Sequence, residues 1–256
     1  MTRKTLIEKL RNSKILIAPV ITIYDPSVAE MVSYLNSDFI IVDMEHSVIG
    51  IKDLQNIVIA SKPVDVIARI KGIDRNEIKK VIDTGVLGII IPGIETTDDA
   101  KNAVLYSKSP PFGVRGMGPG RTSKYGLEFN EYKANPNNFL IIIQIETKKA
   151  FQSIEEILSV DGIDGCFIGP VDLSISMNFE FSWDNKIFLN YLDTILLYAK
   201  KFNLITGIYS SLNNNNIQPI IDREFNFIMY GTDREALLSK YSESINLLRR
   251  NSKNNQ

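Results

Sequence analysis

The sequence predicts an α/β fold, a single (β/α)₈ barrel spanning residues 1–256, and three observations carry that reading. Short apolar, β-branched runs alternate with longer stretches of helical periodicity, the pattern of repeated βα units around a parallel sheet. These runs number about eight, the count that closes a barrel. A length of 256 residues with 44% hydrophobic side chains suits one barrel with one large core.

The elements follow in order. ILIAPVITI (15–23) is the first strand, and Asp25-Pro26 opens the helix at 27–35, because a side-chain acceptor before the first turn and a proline within it both favour a helix start. FIIVD (39–43) is followed by a helix at 54–61, and VIARI (66–70) by one at 75–83. LGIII (87–91) leads to a helix at 98–107, with Thr96 or Thr97 as its cap and Asp98 and Asp99 in its first turn.

A long connection, 109–138, then interrupts the alternation; its run PPFGVRGMGPGR is rich in glycine and proline. Loops of that length in compact domains are commonly functional, so it is expected to cover a mouth of the barrel; a disordered surface insertion is the competing reading. LIIIQI (140–145), GIDGCFI (162–168), LITGI (204–208) and FNFIMY (225–230) complete the strands, with helices at 151–159, 186–201, 215–222 and 234–249, each long enough for a crossover. The asparagine run 213–216 and the tail NSKNNQ are polar and of low complexity, and read as a loop and a frayed end.

Charge narrows the function. With 29 basic against 30 acidic groups and a net charge of −1, no basic field exists for nucleic acid, and a small-molecule partner is expected. The opening MTRKTLIEKLRNSK is too polar for a signal-peptide core, and no stretch approaches the roughly 18 apolar residues of a membrane span, so a cytoplasmic protein is expected. The lone cysteine, Cys166, lies in an apolar run and reads as a buried structural thiol in a reducing compartment.

In a barrel of this kind chemistry gathers at the C-terminal ends of the strands, and reactive residues accumulate there. The second strand ends in Asp43, Glu45 and His46, the third in Arg69, the fifth in Gln144 and Glu146, and the sixth runs into Gly169-Pro170-Val171-Asp172. His46 is the only histidine, and two carboxylates within three residues give it what a general base needs: an acid to fix the tautomer of a side chain that titrates near neutrality. Some of these acids also read as loop caps, Glu45 above all. Glu146 and Asp172 end adjacent strands and suit a hard divalent cation such as Mg²⁺ or Mn²⁺; equally, each reads as a cap of the helix that follows. Arg69 suits a carboxylate or a developing enolate oxygen, or else a structural ion pair at the rim. Lys71 falls in a Lys-Gly turn rather than a strand interior, which disfavours it as a Schiff-base former. No complete GxGxxG fingerprint, P-loop or GxSxG elbow appears.

The segments DFIIVDMEHS, ARI, DTGVLGIIIP, PPFGVRG, QIET, DGIDGCFIGPVDLS and FNFIMYGTD occur in that order along nearly the whole chain. Together they resemble the metal-dependent (class II) pyruvate aldolases of the HpcH/HpaI type, which cleave 4-hydroxy-2-oxoheptanedioate or 2-keto-3-deoxy sugar acids. The resemblance implies a carbon–carbon lyase that joins or splits pyruvate and an aldehyde through an enolate. It implies Glu146 and Asp172 as ligands of Mg²⁺, Mn²⁺ or Co²⁺, and Arg69 at the keto oxygen. Backbone amides of Gly169, Val171 and Asp172 would lie at the substrate carboxylate, with Gln144 close to the metal or the substrate. His46 would be the acid–base group, oriented by Asp43 and by Asp83. Family members are usually hexamers, so a homo-oligomer is implied, in which Asp83 could serve a neighbouring subunit.

The departures from the family pattern cluster around the pocket: Val20 stands where tryptophan is frequent, Tyr24 where glycine is common, Ser109 for tyrosine, Val171 for alanine and Asn178 for glycine. The enolate-forming residues are retained while the acceptor side differs. Two alternatives remain at this stage: another 2-oxo acid lyase, such as an oxaloacetate decarboxylase, and a non-catalytic barrel that only binds. Alanine at either carboxylate separates the last from the enzymes.

Overall fold

The structure, a computed structural model, describes residues 3–12 and 15–253. Eight strands form a closed, all-parallel barrel in chain order: β1 (Leu16–Ile21), β2 (Ile40–Asp43), β3 (Val66–Arg69), β4 (Gly88–Ile91), β5 (Leu140–Ile145), β6 (Gly165–Ile168), β7 (Ile205–Ser210) and β8 (Phe227–Thr232). Each predicted strand is present, with its ends shifted by a few residues.

Alternation along the strands divides the core in two. Inward residues, among them Val20, Ile41, Ile67, Ile142, Phe167, Phe227 and Met229, fill the barrel. Outward residues such as Val42, Ala68, Ile143 and Ile168 pack beneath the helices. Gly207 of β7 leaves the space that Phe227 occupies, since a Cβ there would lie 2.0 Å from the ring. Phe227 meets Phe39 edge-on at 5.6 Å and Phe167 in a stack at 6.2 Å.

Helices α2 (Pro26–Ser33), α3 (Ile51–Ala60), α4 (Arg75–Asp83) and α5 (Thr97–Ser107) follow the first four strands. Asp25 accepts from the Ser27 N–H, and Thr96 and Asp99 complete a capping box on α5. Ahead of the first strand lies α1 (Arg3–Asn12), which sequence reading left without structure. Leu6 and Leu10, one turn apart, are fully buried against the barrel interior, while the Arg11 guanidinium lies 3.4 Å from Asp164 just before β6. The helix therefore covers the N-terminal end of the barrel; only Leu6, Ile7 and Leu10 mark it among polar and charged neighbours.

The connection 109–138 is folded, which overturns its reading as a disordered insertion. It carries a 3₁₀ turn at Arg121–Gly126 and α6 (Phe129–Ala134). Arg115, fully buried, pins it by donating to the Ser107 carbonyl at 2.6 Å, the Tyr132 hydroxyl at 2.7 Å and the Pro136 carbonyl at 2.7 Å. The segment lies along α4 and α5 and bounds an open groove of about 950 Å³ beside the start of β3, away from the strand C-termini.

Beyond β5 the predicted helix 151–159 is two short ones, α7 (Lys148–Gln152) and α8 (Ile154–Leu158), broken at Ser153. Gly169-Pro170 opens an unanticipated α9 (Pro170–Ser176), followed by α10 (Lys186–Lys201) and, after β7, α11 (Gln218–Ile221). The last helix, α12 (Asp233–Lys253), is a correction to the crossover pattern: after its first turns it leaves the barrel, with Leu238 73% and Leu248 71% exposed. Correspondingly, outward-facing Ile17 of β1 is 48% exposed, whereas the outward residues of β2 to β6 are buried. The seam between β8 and β1 lacks the helical cover that the rest of the sheet has.

Candidate active site

The inner residues at the strand C-termini build the site. Strand pairing sets Asp43 of β2 directly opposite Arg69 of β3. Asp43 accepts two hydrogen bonds from that guanidinium, Nε to Oδ1 at 3.0 Å and Nη2 to Oδ2 at 2.7 Å, with side chains only 3% and 11% exposed. Burial by itself would lower the Arg69 guanidinium, but the hydrogen bonds and charge of Asp43, with Glu45 and Glu146 behind, hold it above its ordinary value. Arg69 is a fixed cation on the inner wall. It is an ion pair, as the alternative reading held, but one that faces the barrel axis.

Asp43 does not reach the His46 ring. Its Oδ1 also accepts from the backbone N–H groups of Glu45 at 3.0 Å and His46 at 3.2 Å, so it shapes the loop, and the cap predicted for Glu45 belongs to Asp43. Glu45 turns inward instead: its Oε2 lies 3.2 Å from Arg69 Nη1, 3.4 Å from Gln144 Nε2 and 3.7 Å from His46 Nε2. Burial pushes the Glu45 carboxyl up, as do the charges of Glu146 and Asp43, against the pull of Arg69 and His46. His46 stands at the rim with its side chain 62% exposed, and its carbonyl accepts from Arg234 Nη2 at 3.0 Å.

Glu146 accepts from the Gly93 N–H at 3.2 Å and, through its other oxygen, from the Gln144 amide. The capping reading of the two carboxylates does not hold. Thr147 caps α7 through its own hydroxyl, and α9 has no side-chain cap bond. Both carboxylates instead lie close against the bare Cα of Gly169. A Cβ there would lie 3.2 Å from Glu146 Cβ, 3.5 Å from Glu146 Oε2 and 3.8 Å from Asp172 Oδ2. Among the described residues no three His, Cys, Asp or Glu side chains converge as a closed metal cage. Two carboxylates gathered at a glycine still fit Mg²⁺ or a similar cation, which keeps much of its shell for water and substrate oxygens. The Gly169 N–H is already bonded to the Ile145 carbonyl at 3.2 Å, so this residue contributes space, whereas Val171 and Asp172 stand in the uncapped first turn of α9.

Asp83 is elsewhere. It ends α4, near the N-terminal end of the barrel, with Oδ1 buried and 4.0 Å from Arg115 Nη1. Burial pushes its carboxyl up, opposed by Arg115 and Lys79. Within one chain it cannot orient His46, because a helix that starts near the strand C-termini ends at the opposite face.

A family model described as HpcH/HpaI aldolase/citrate lyase matches residues 21–239. The chain belongs to this family. Its curated relatives are named as aldolases. It is 37% identical over 161 residues to the hydroxypyruvate/pyruvate aldolase of Sagittula stellata, an alignment covering 62% of this chain and 64% of that enzyme. It is 33% identical over 232 residues to a 2-keto-3-deoxy-L-rhamnonate aldolase of Escherichia coli, covering 88% of this chain and 86% of that one. The fold matches that of an HpcH/HpaI aldolase/citrate lyase family protein from Burkholderia cenocepacia with a TM-score of 0.87 at 23% identity, over 96% and 99% of the two chains.

Tyr209 and Glu235 escaped sequence reading. Tyr209 continues the inward face of β7 but lies one residue past the predicted strand end at 208, and Glu235 comes from the first turn of α12. The period-two spacing of Ile205, Gly207 and Tyr209 was the available signal.

Proposed function

We propose that this protein is a divalent-metal-dependent pyruvate aldolase, which splits a 4-hydroxy-2-oxo acid into pyruvate and an aldehyde or runs the reverse condensation. The observation that carries the reading is the pair of carboxylates, Glu146 and Asp172, brought together at Gly169, on the same rim as a buried, charged Arg69. The names of the curated relatives support it.

Glu146 and Asp172 would hold the cation, which supplies Lewis acidity to the keto oxygen of a bound 2-oxo acid. Arg69, fixed by Asp43 and Glu45, adds positive charge where the enolate develops; the residue is already ordered, so little reorganisation accompanies the step. The backbone N–H groups of Val171 and Asp172 face the substrate carboxylate, and Gln144 orients Glu146. His46 takes the proton of the 4-hydroxyl in cleavage and returns it in condensation, with Glu45 as the carboxylate nearest its ring. The protein acts as a cytoplasmic homo-oligomer. The exposed apolar face of α12 and the uncovered β8–β1 seam support a second copy as partner, and only from another copy could Asp83 meet a His46.

The test needs no aldehyde. Metal-free protein is mixed with pyruvate in heavy water and loss of the methyl proton signal is followed with and without Mg²⁺, Mn²⁺ or Co²⁺. Exchange that needs metal and vanishes in Glu146→Ala is the expected result; no exchange with any metal refutes the reading.

A further inference from the structure

One polar residue on the inner wall is used by neither the Asp43–Arg69 pair nor the carboxylates around Gly169. Tyr209 packs against the barrel interior, two residues beyond Gly207, so its ring points inward. The pairing of Ile168 with Ile208 sets the next residue of each strand side by side, which places Tyr209 beside Gly169. Burial, followed by the charge and hydrogen bond of Glu235, pushes its phenol up to about 12, so at neutral pH it keeps its proton and can donate.

The partner of that phenol is Glu235 Oε2, 3.4 Å away, at the long limit of a hydrogen bond. Glu235 is itself held in place. Asn213 donates to its Oε1 from the backbone at 3.4 Å and from the side-chain amide at 3.3 Å, and the Thr232 N–H reaches Oε2 at 3.4 Å. A donor and an acceptor thus face each other across a contact at the long limit of a hydrogen bond, the donor on a residue whose backbone runs beside Gly169. An alcohol both donates and accepts, and so suits such a pair; an alkyl group there would leave a partly desolvated carboxylate facing a methyl.

We propose that Tyr209 and Glu235 form the acceptor side of the site and select aldehydes that carry a hydroxyl group, the Tyr209 hydroxyl donating to that group and the Glu235 carboxylate accepting from it. This assignment rests on the pyruvate aldolase reading. It also gives the altered acceptor side noted in the sequence a specific chemical preference.

The experiment compares condensation of pyruvate with glycolaldehyde and with acetaldehyde, in the unaltered protein and in Tyr209→Phe, which keeps the ring and removes only the hydroxyl. The ratio of kcat/KM for glycolaldehyde to that for acetaldehyde is expected to fall about tenfold, the effect of one lost hydrogen bond, mainly through KM for glycolaldehyde. If circular dichroism finds Tyr209→Phe unfolded, Glu235→Gln gives the same comparison through the other partner, and the ratio must again fall. An unchanged ratio, or equal loss with both aldehydes, overturns the proposal. Metal-dependent proton exchange of pyruvate in the unaltered protein separates the two levels: with exchange present, an unchanged ratio removes only the acceptor assignment, whereas its absence removes the aldolase reading and this assignment together.

Discussion

The carboxylate of Asp43 holds the Arg69 guanidinium through two hydrogen bonds, at 3.0 and 2.7 Å, and with the same Oδ1 ties down the backbone of the loop that carries Glu45 and His46. One side chain therefore sets both the cation on the wall and the path of the loop at the rim.

Removing that carboxylate should cost more than removing an ordinary surface charge, because it leaves a guanidinium that is 11% exposed without its main partner. Asp43→Ala is expected to lose about 3–5 kcal/mol in urea unfolding. Arg69→Lys should retain the charge but not the forked geometry, and the rate of pyruvate proton exchange should drop at least tenfold. A loss below 1 kcal/mol in Asp43→Ala would mean that the pair is incidental.

Gly207 is required by Phe227. With the nearest ring atom 2.0 Å from an added Cβ, Gly207→Ala must displace the ring that contacts Phe39 and Phe167, at an expected cost of about 1–3 kcal/mol or more. Adding Phe227→Leu to that variant should recover part of the loss, and a chemical denaturation series on the two single and one double variant reads it out.

Alkaline pH tests the burial of Cys166. Burial pushes its thiol from 9.0 up to about 12. An acid whose folded value is raised contributes stability that is fully present below the unfolded value and is lost as pH rises through the window from about 9 to 12. Between pH 9 and 11 the unaltered protein should therefore lose more stability than Cys166→Ala, by up to about 1.4 kcal/mol per pH unit. A thiol reagent should not label the folded chain at neutral pH; rapid labelling there would contradict the buried placement.

The apolar residues of α12 predict self-association. Leu238→Asp combined with Leu248→Asp should shift the protein toward monomers in light scattering, with its helical content retained. A monomeric unaltered protein at micromolar concentration would leave the exposed face without an explanation.

Much of the barrel was legible because a parallel strand covered on both faces reads as an unbroken apolar run, as in LIIIQI, and its end is marked by a sudden polar residue. For the same reason Asp43, Arg69, Gln144 and Glu146 could be placed on one rim. Where burial leaves a weaker trace the reading stopped short: α1 shows only Leu6, Ile7 and Leu10, and Tyr209 looks like the first residue of a loop.

Residue order thus determined the eight strands, their direction and the polar set at their C-terminal ends, since hydrophobic period and strand termination are local properties of the chain. Only the tertiary structure decided how those groups are shared. It gave Asp43 to Arg69 and left Glu45 nearest to His46, turned Glu146 and Asp172 toward Gly169 rather than toward helix ends, and carried Asp83 to the far side. Each of these depends on strand register and side-chain direction across the barrel, contacts between residues that lie far apart in the chain.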